Sequence, residues 1–384
     1  MLITVVAGAR PNFMKISPLI KAIRAARLGG DDIDFRLVHT GQHFDQKMSG
    51  EFFEQLGIPE PDINLECGGG TQAEQTAAVL VAFERELQSN PPSVVVVVGD
   101  VTSTMACTIA AKKLCVPVVH VEAGIRSGDM TMPEEINRIV TDSICDHFFT
   151  TSRHANRLLE KNGVDQGRIH FVGNTMIDSL YQNLERLNKP GLWDIHGLKN
   201  GGYFLLTLHR PANVDDPEKL TSCLDAILEG TNGYPVVFPV HPRTRKTLEG
   251  FGYQNERLLQ TDPLGYLEFI YLLKFTMAVI TDSGGITEEA TVLNVPCMTL
   301  RDSTERPETV DIGTNELVGT DPALLKPYLE SVVKGSWKQG SIPEFWDGKT
   351  SERIVDVLLR IYGSMQTGLY TTEAAHELRP AERV

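Results

Sequence analysis

"VVGDVTSTMACTIAA" (97–111) ends a run of five valines, 94–98, on Gly99 and Asp100 and continues into small residues that suit a helix. A strand that is apolar at every position is buried on both faces, as a central strand of a parallel sheet is. An acid directly after it stands at the strand's carboxyl end, where open α/β sheets collect their ligands. "VPVVHVEAGIRSG" (116–128) repeats the arrangement, an apolar run ending on Glu122.

Working outward, β-branched runs at 2–7, 34–40, 93–99, 116–122, 147–151 and 169–172 alternate with helical patterns near 15–27, 46–56, 71–89, 104–114, 134–145 and 153–162. Such alternation predicts a parallel sheet covered by helices on both faces. The pattern then restarts. Strands are expected at 203–209, 234–241, 257–261, 277–283 and 296–300, with helices near 217–229, 264–274 and 286–293. The reading is therefore α/β with two halves, 1–173 and 174–350, joined where "NKPGLWDIHGLKNGG" (188–202) is rich in Gly and Pro. A last helix at about 351–362 can pack on either half, and 363–384 reads as a weakly ordered tail.

With 384 residues, 41% of them hydrophobic and 22% charged, the chain has the make-up of a globular enzyme of two domains. A net charge of −14 argues against a general nucleic-acid or anionic-membrane binder. It leaves room for an anionic ligand held locally by Arg, Lys and helix N-termini. The six cysteines form no C-x-x-C pair and mostly sit in apolar patterns, which reads as buried reduced thiols. No basic leader precedes the first apolar run, and no stretch approaches the roughly 18 apolar residues of a membrane span. A cytoplasmic protein without a membrane or nucleic-acid partner is expected.

Five polar residues fall at expected strand ends: Asp100, Glu122, His209, His241 and Asp282. Each taken alone also suits a helix N-cap or a turn. "AGARPNFMK" (7–15) puts Arg10 and Lys15 at the start of the first helix, where an anion is welcome. "TDSGGITEEA" (281–290) offers the Ser283 hydroxyl and the unhindered N–H groups of Gly284 and Gly285 as a diphosphate cradle. About a turn later Glu289 can accept from a ribose diol, or simply sit in the first turn of a capped helix. "RDSTERPE" (301–308) adds Arg301 and Arg306, for phosphate or for a neighbouring Glu. No zinc spacing, Ser-His-Asp elbow or EF-hand loop is present, so no metal site is expected.

Jointly these motifs resemble the non-hydrolysing UDP-N-acetylglucosamine 2-epimerases. The resemblance runs in the family's order from residue 8 to about 320, through "GARPNFMKISPLI", "TGQH", "VVGDVTST", "HVEAGIRSGD", "PEEINRIVTD", "VGNTMIDSL", "TLHRPANVD", "PVHPRT", "TDSGGITEEA" and "RDSTERPE". It implies two Rossmann-like, doubly wound domains facing a central cleft (glycosyltransferase-B-like), a homodimer, and no added cofactor or metal. The implied reaction inverts C2 of UDP-GlcNAc by anti elimination of UDP to 2-acetamidoglucal and re-addition. By motif, Asp100, Glu122, Glu134 and His209 match the catalytic positions. Arg10, Lys15, Phe269, Ser283, Gly284, Gly285, Glu289 and Arg306 match those that hold UDP. Base and acid stay unassigned among the carboxylates, and Phe269 also fits a helix core.

The alternatives are a 2-epimerase on a modified UDP-diacetamido-uronic acid and a glycosyltransferase of the same architecture. The chain departs from the family pattern at Asn12 and Ala212, where many members carry Glu, and at Thr287, where many carry Gln. Many bacterial relatives also bind UDP-GlcNAc as an activator at a second site, matched here by Gln42, His43 and His241. "LECGGGTQ" (65–72) brings no basic residue to it, so hyperbolic kinetics are expected.

Overall fold

The computed structural model describes residues 1–42, 53 and 55–363, and only the backbone of Arg10, Pro211, Ala212 and Arg243. Most of the helix expected near 46–56, and the tail beyond Gly363, lie outside the described residues. The chain forms two compact units: Met1–Gln182 together with the segment from Glu344, and Asn183–Pro343.

The first unit is built on β1 (Leu2–Ala7), β2 (Asp34–His39), β3 (Ile63–Asn64), β4 (Val94–Val98), β5 (Val118–Val121), β6 (His147–Thr150) and β7 (Ile169–Phe171). They lie side by side in the order β3-β2-β1-β4-β5-β6-β7, every pairing parallel. All five valines of β4 are buried, which is why that strand carries no polar residue until it ends. The order reverses between β1 and β4. The segments leaving these two strands therefore diverge and leave a crevice at their carboxyl ends.

The second unit repeats the wiring with β8 (Phe204–Thr207), β9 (Val236–Pro239), β10 (Leu258–Thr261), β11 (Ala278–Thr281), β12 (Cys297–Thr299) and β13 (Asn315–Leu317), again all parallel. Its order is β10-β9-β8-β11-β12-β13, so the reversal falls between β8 and β11. Phe204, Leu206, Phe238, Ile280 and Met298 fill its core against the helix Pro217–Gly230.

The closing helix Thr350–Tyr362 belongs to the first unit and packs on the helix Arg10–Leu28. Asp178 caps it, accepting from the Thr350 and Ser351 N–H groups at 3.0 and 2.6 Å. Just before it, fully buried Trp346 donates its indole N–H to the Thr151 carbonyl at 3.0 Å. No helix among the described residues is long and apolar enough to cross a membrane.

Candidate active site

At the β1/β4 reversal the two strand exits are stitched by Asn12. Its side-chain oxygen accepts from the Gly8 and Ala9 N–H groups at 3.2 and 3.1 Å, and its amide donates to the Val98 carbonyl at 2.8 Å. An ionised glutamate here could accept but not donate, so Asn12 supplies a link that a carboxylate at this position would lack. Gly8 is confined as well: a Cβ on it would lie 2.1 Å from the Ser103 hydroxyl.

Glu122 follows β5 with φ +74°, a left-handed conformation that a glutamate adopts only when its surroundings impose it. Its carboxylate pairs with Lys15, and both side chains are buried. Gly99, φ +69°, opens the space beside this pair; a Cβ there would sit 3.1 Å from the lysine Nζ. Asp100 comes next and pairs with Arg138, while Asn137 donates to the Asp100 carbonyl at 2.8 Å. Glu134 is half-buried in the first turn of the helix Pro133–Ile144. It lies one helical turn before Arg138 and so on that residue's side of the helix. Arg10 begins the helix that follows β1. Lys15, Asp100 and Glu122 are thus gathered at one reversal, with Glu134 on the neighbouring helix.

The helix Pro133–Ile144 is inside out. Glu135, Asn137, Arg138 and Asp142 are buried while Ile136 and Ile139 are exposed. Glu135 accepts from Arg138 at 3.1 Å and from the Ser127 and Gly128 N–H groups at 2.9 and 3.1 Å. Burial alone would raise its pKa, but these donors hold it below the usual carboxylate range. Asp142 behaves alike: burial opposes its charge, and His120 and Arg126 outweigh burial. Neither residue was singled out from sequence. The readable signal was charge at 135, 138 and 142, one face of a helix.

At the β8/β11 reversal the organiser is Asp282, fully buried. It accepts from the backbone N–H of His209 and Arg210 at 3.0 and 2.9 Å and from the Asn213 amide at 3.1 Å. Its other contact is His209 Nδ1, at 2.7 Å. The imidazole is 57% exposed, so it is oriented from behind and presented to solvent. Burial would raise the Asp282 pKa, but the hydrogen bond and charge of His209, with the other donors, keep it low. Sequence placed Asp282 at a strand end without giving it this role.

Ser283, Gly284 and Gly285 are half-buried at the start of the helix Gly284–Val292, and the Ser283 hydroxyl does not cap it. Thr287 turns its hydroxyl to the Gly284 carbonyl at 2.6 Å. Both arginines of "RDSTERPE" face glutamates. Arg301 pairs with Glu305 at 2.9 Å and Arg306 with buried Glu288 at 2.5 Å. A Cβ on Gly284 would come within 3.9 Å of the Arg301 guanidinium, so that pair borders the helix start. Glu289 lies inside the fold, accepts from the Tyr266 hydroxyl at 3.0 Å, and is pushed by burial to a pKa of about 8. Phe269 is half-buried, three residues after Tyr266 on the helix Tyr266–Phe275 and on the same side of it. His241 is exposed after β9, and Gln42 accepts from the Ser103 hydroxyl at 2.7 Å. His43 lies outside the described residues.

Two parallel doubly wound sheets, each with charged or glycine-rich turns at its order reversal, define an α/β protein of Rossmann type. Residues 26–359 match the UDP-N-acetylglucosamine 2-epimerase family. The chain belongs to that family. It is 41% identical to the UDP-N-acetylglucosamine 2-epimerase of Methanocaldococcus jannaschii, over 93% of this chain and 99% of the relative. It is 42% identical to the UDP-2,3-diacetamido-2,3-dideoxy-D-glucuronate 2-epimerase of Pseudomonas aeruginosa, over 94% and 100%. A crystal structure of the M. jannaschii enzyme in complex with UDP-GlcNAc and UDP superposes with a TM-score of 0.82 at 40% identity, covering 94% of this chain and all of that one.

Proposed function

We propose that this protein is an isomerase that interconverts UDP-GlcNAc and UDP-ManNAc without hydrolysing either. A carboxylate removes the C2 proton, and the C1–O bond breaks with its electron pair leaving on UDP. The products are 2-acetamidoglucal and UDP. A second acid then delivers a proton to the opposite face of C2 while a UDP oxygen re-forms the bond to C1. Inversion needs groups on both faces, and Asp100, Glu122 and Glu134 are the candidates. General acid–base help of this kind is worth about 10²–10⁴-fold. His209 is the fourth catalytic match, and Ser283, Gly284, Gly285, Glu289, Arg306 and Phe269, with Arg10 and Lys15, are read as the groups that hold and polarise UDP.

The observation that carries the reading is Glu122, held at φ +74° against Lys15 beside Gly99, whose missing Cβ would crowd the lysine Nζ at 3.1 Å. A carboxylate kept in a costly backbone conformation is one whose position matters. The experiment is NMR of the purified protein in D₂O with UDP-GlcNAc as sole substrate. UDP-ManNAc should form and deuterium should enter C2. Turnover that retains C2 protium throughout would overturn the mechanism.

A second reading, a 2-epimerase of a UDP-diacetamido-uronic acid, is favoured by the 42% identity to the P. aeruginosa enzyme. The same assay with that sugar nucleotide decides between them by kcat/KM. The protein is further read as a cytoplasmic homodimer. All six cysteines are free thiols, and the exposed Ile136 and Ile139 suit a partner surface. Light scattering tests the assembly.

A further inference from the structure

We infer that Asp142 is a positioning residue that sets the placement of Asp100 relative to Glu122. This rests on the reading above, in which those two carboxylates act at C2.

Asp142 touches the segment that carries Glu122 directly and reaches the β4 exit that carries Asp100 through His120. Its Oδ1 lies 2.7 Å from His120 Nδ1, and His120 Nε2 donates to the Gly99 carbonyl at 2.8 Å. Gly99 is the residue before Asp100. Its Oδ2 accepts from the Gly124 N–H at 3.0 Å and pairs with Arg126 at 2.7 Å. Gly124 lies two residues after Glu122, as His120 lies two before it. One buried carboxylate therefore holds the chain on both sides of Glu122, by the Gly124 N–H after it and the His120 side chain before it, and reaches the turn of Asp100 through that fully buried imidazole.

A residue at positive φ relaxes unless its flanks are held, so the clamp accounts for the conformation of Glu122. Gly124 is also fixed from outside: a Cβ on it would lie 2.7 Å from the Ala155 carbonyl. Asp142 shares its helix with Arg138 and Asn137, which hold Asp100 directly. The helix thus locks one carboxylate by direct contact and ties the other to it through Asp142. Neither Asp142 nor His120 has to meet substrate for this.

The test is Asp142→Asn, with His120→Asn as the second variant. The latter can keep a donor toward Asp142 but lacks the atom that reaches Gly99. Misplaced carboxylates slow proton transfer and leave the glycal waiting for its second proton. The expected result for both is a kcat for epimerisation lowered about tenfold or more, UDP affinity within twofold of wild type, and a larger share of turnovers releasing free 2-acetamidoglucal with UDP. A folded variant with wild-type kcat and no added glycal overturns the positioning role. So does a parallel loss of UDP binding and kcat, which is general disruption. If Asp142→Asn does not fold, His120→Asn decides by the same criteria. A wild-type protein that epimerises no UDP-sugar is a different outcome: it overturns the acid–base reading itself, and the positioning role with it.

Discussion

The two order reversals share one wiring and differ in what they do with charge. Between β1 and β4, the acids are paired: Glu122 with Lys15, Asp100 with Arg138, Asp142 with His120 and Arg126. Between β8 and β11, Asp282, Glu288 and Glu305 are paired as well, with His209, Arg306 and Arg301. Behind the glycine-rich helix start, Glu289 and Glu308 are pushed up by burial to about 8 and about 7. The first site is a frame that fixes carboxylates in space. The second is a cradle of N–H groups backed by arginines that are already engaged. The same topology supports either because its strand ends dictate only where side chains emerge, and the turns decide which.

The largest effect separating the two is expected at Glu122. Glu122→Gln keeps the shape and removes the proton function, so kcat should fall by about 10²–10⁴-fold while UDP affinity changes little. Steady-state kinetics and titration calorimetry read the two quantities. If UDP binding is lost and turnover per bound site is normal, the first reversal is a binding site and the contrast collapses.

Next comes Arg306→Ala. From sequence it serves phosphate or a neighbouring Glu; as a phosphate contact, its loss should weaken UDP more than uridine. The partner is Glu288, and its burial adds a consequence, because removing the arginine strands a buried charge. Breaking such a pair costs about 3–5 kcal/mol. The low end, about 3 kcal/mol, is expected because Glu288 can take up a proton instead. Denaturant melts should show that loss and its recovery in Arg306→Ala with Glu288→Gln. A single variant as stable as wild type would show that Arg306 does not balance Glu288.

What the sequence revealed and concealed follows the same division. The valines of β4 and the restart after residue 202 were readable because burial on both faces leaves an unbroken apolar run. β3 and β13, two and three residues at an edge of the first and of the second sheet, carry no such run and were not expected. Nor were the helices Thr175–Asn183, Pro242–Gly250 and Leu325–Val333. Asp100 and Glu122 were visible as acids at strand ends. The residues that hold them were not: Asp142 is 22 residues from His120, and Arg138 is 38 from Asp100. Such pairings exist only once the sheet brings them together. Asp282 was seen at a strand end without its role for the same reason, since its partner His209 is 73 residues away.

The smallest effect, and the finest test of the contrast, is the pH dependence of stability. Glu135 and Asp142 have folded-state pKa values below their ordinary ones. Their contribution is complete above the ordinary carboxylate range and is lost as pH falls through the depressed values. Glu289 has the opposite sign. Its folded pKa of about 8 lies above the unfolded value, so the folded state holds a proton that the unfolded chain gives up. Its contribution is complete below the unfolded pKa and is lost as pH rises toward 8. Glu289→Gln keeps an acceptor for the Tyr266 hydroxyl, 3.0 Å away, and removes the titration. The variant should unfold at nearly the wild-type temperature near pH 5 and progressively above it from pH 6 to 8, a gain of at most a few kcal/mol. Asp142→Asn should show its deficit at neutral pH and converge on wild type in acid. Calorimetry of the three proteins across that range reads both slopes. If Glu289→Gln runs parallel to wild type, Glu289 is ionised in the folded protein, and the second reversal holds its acids as the first does.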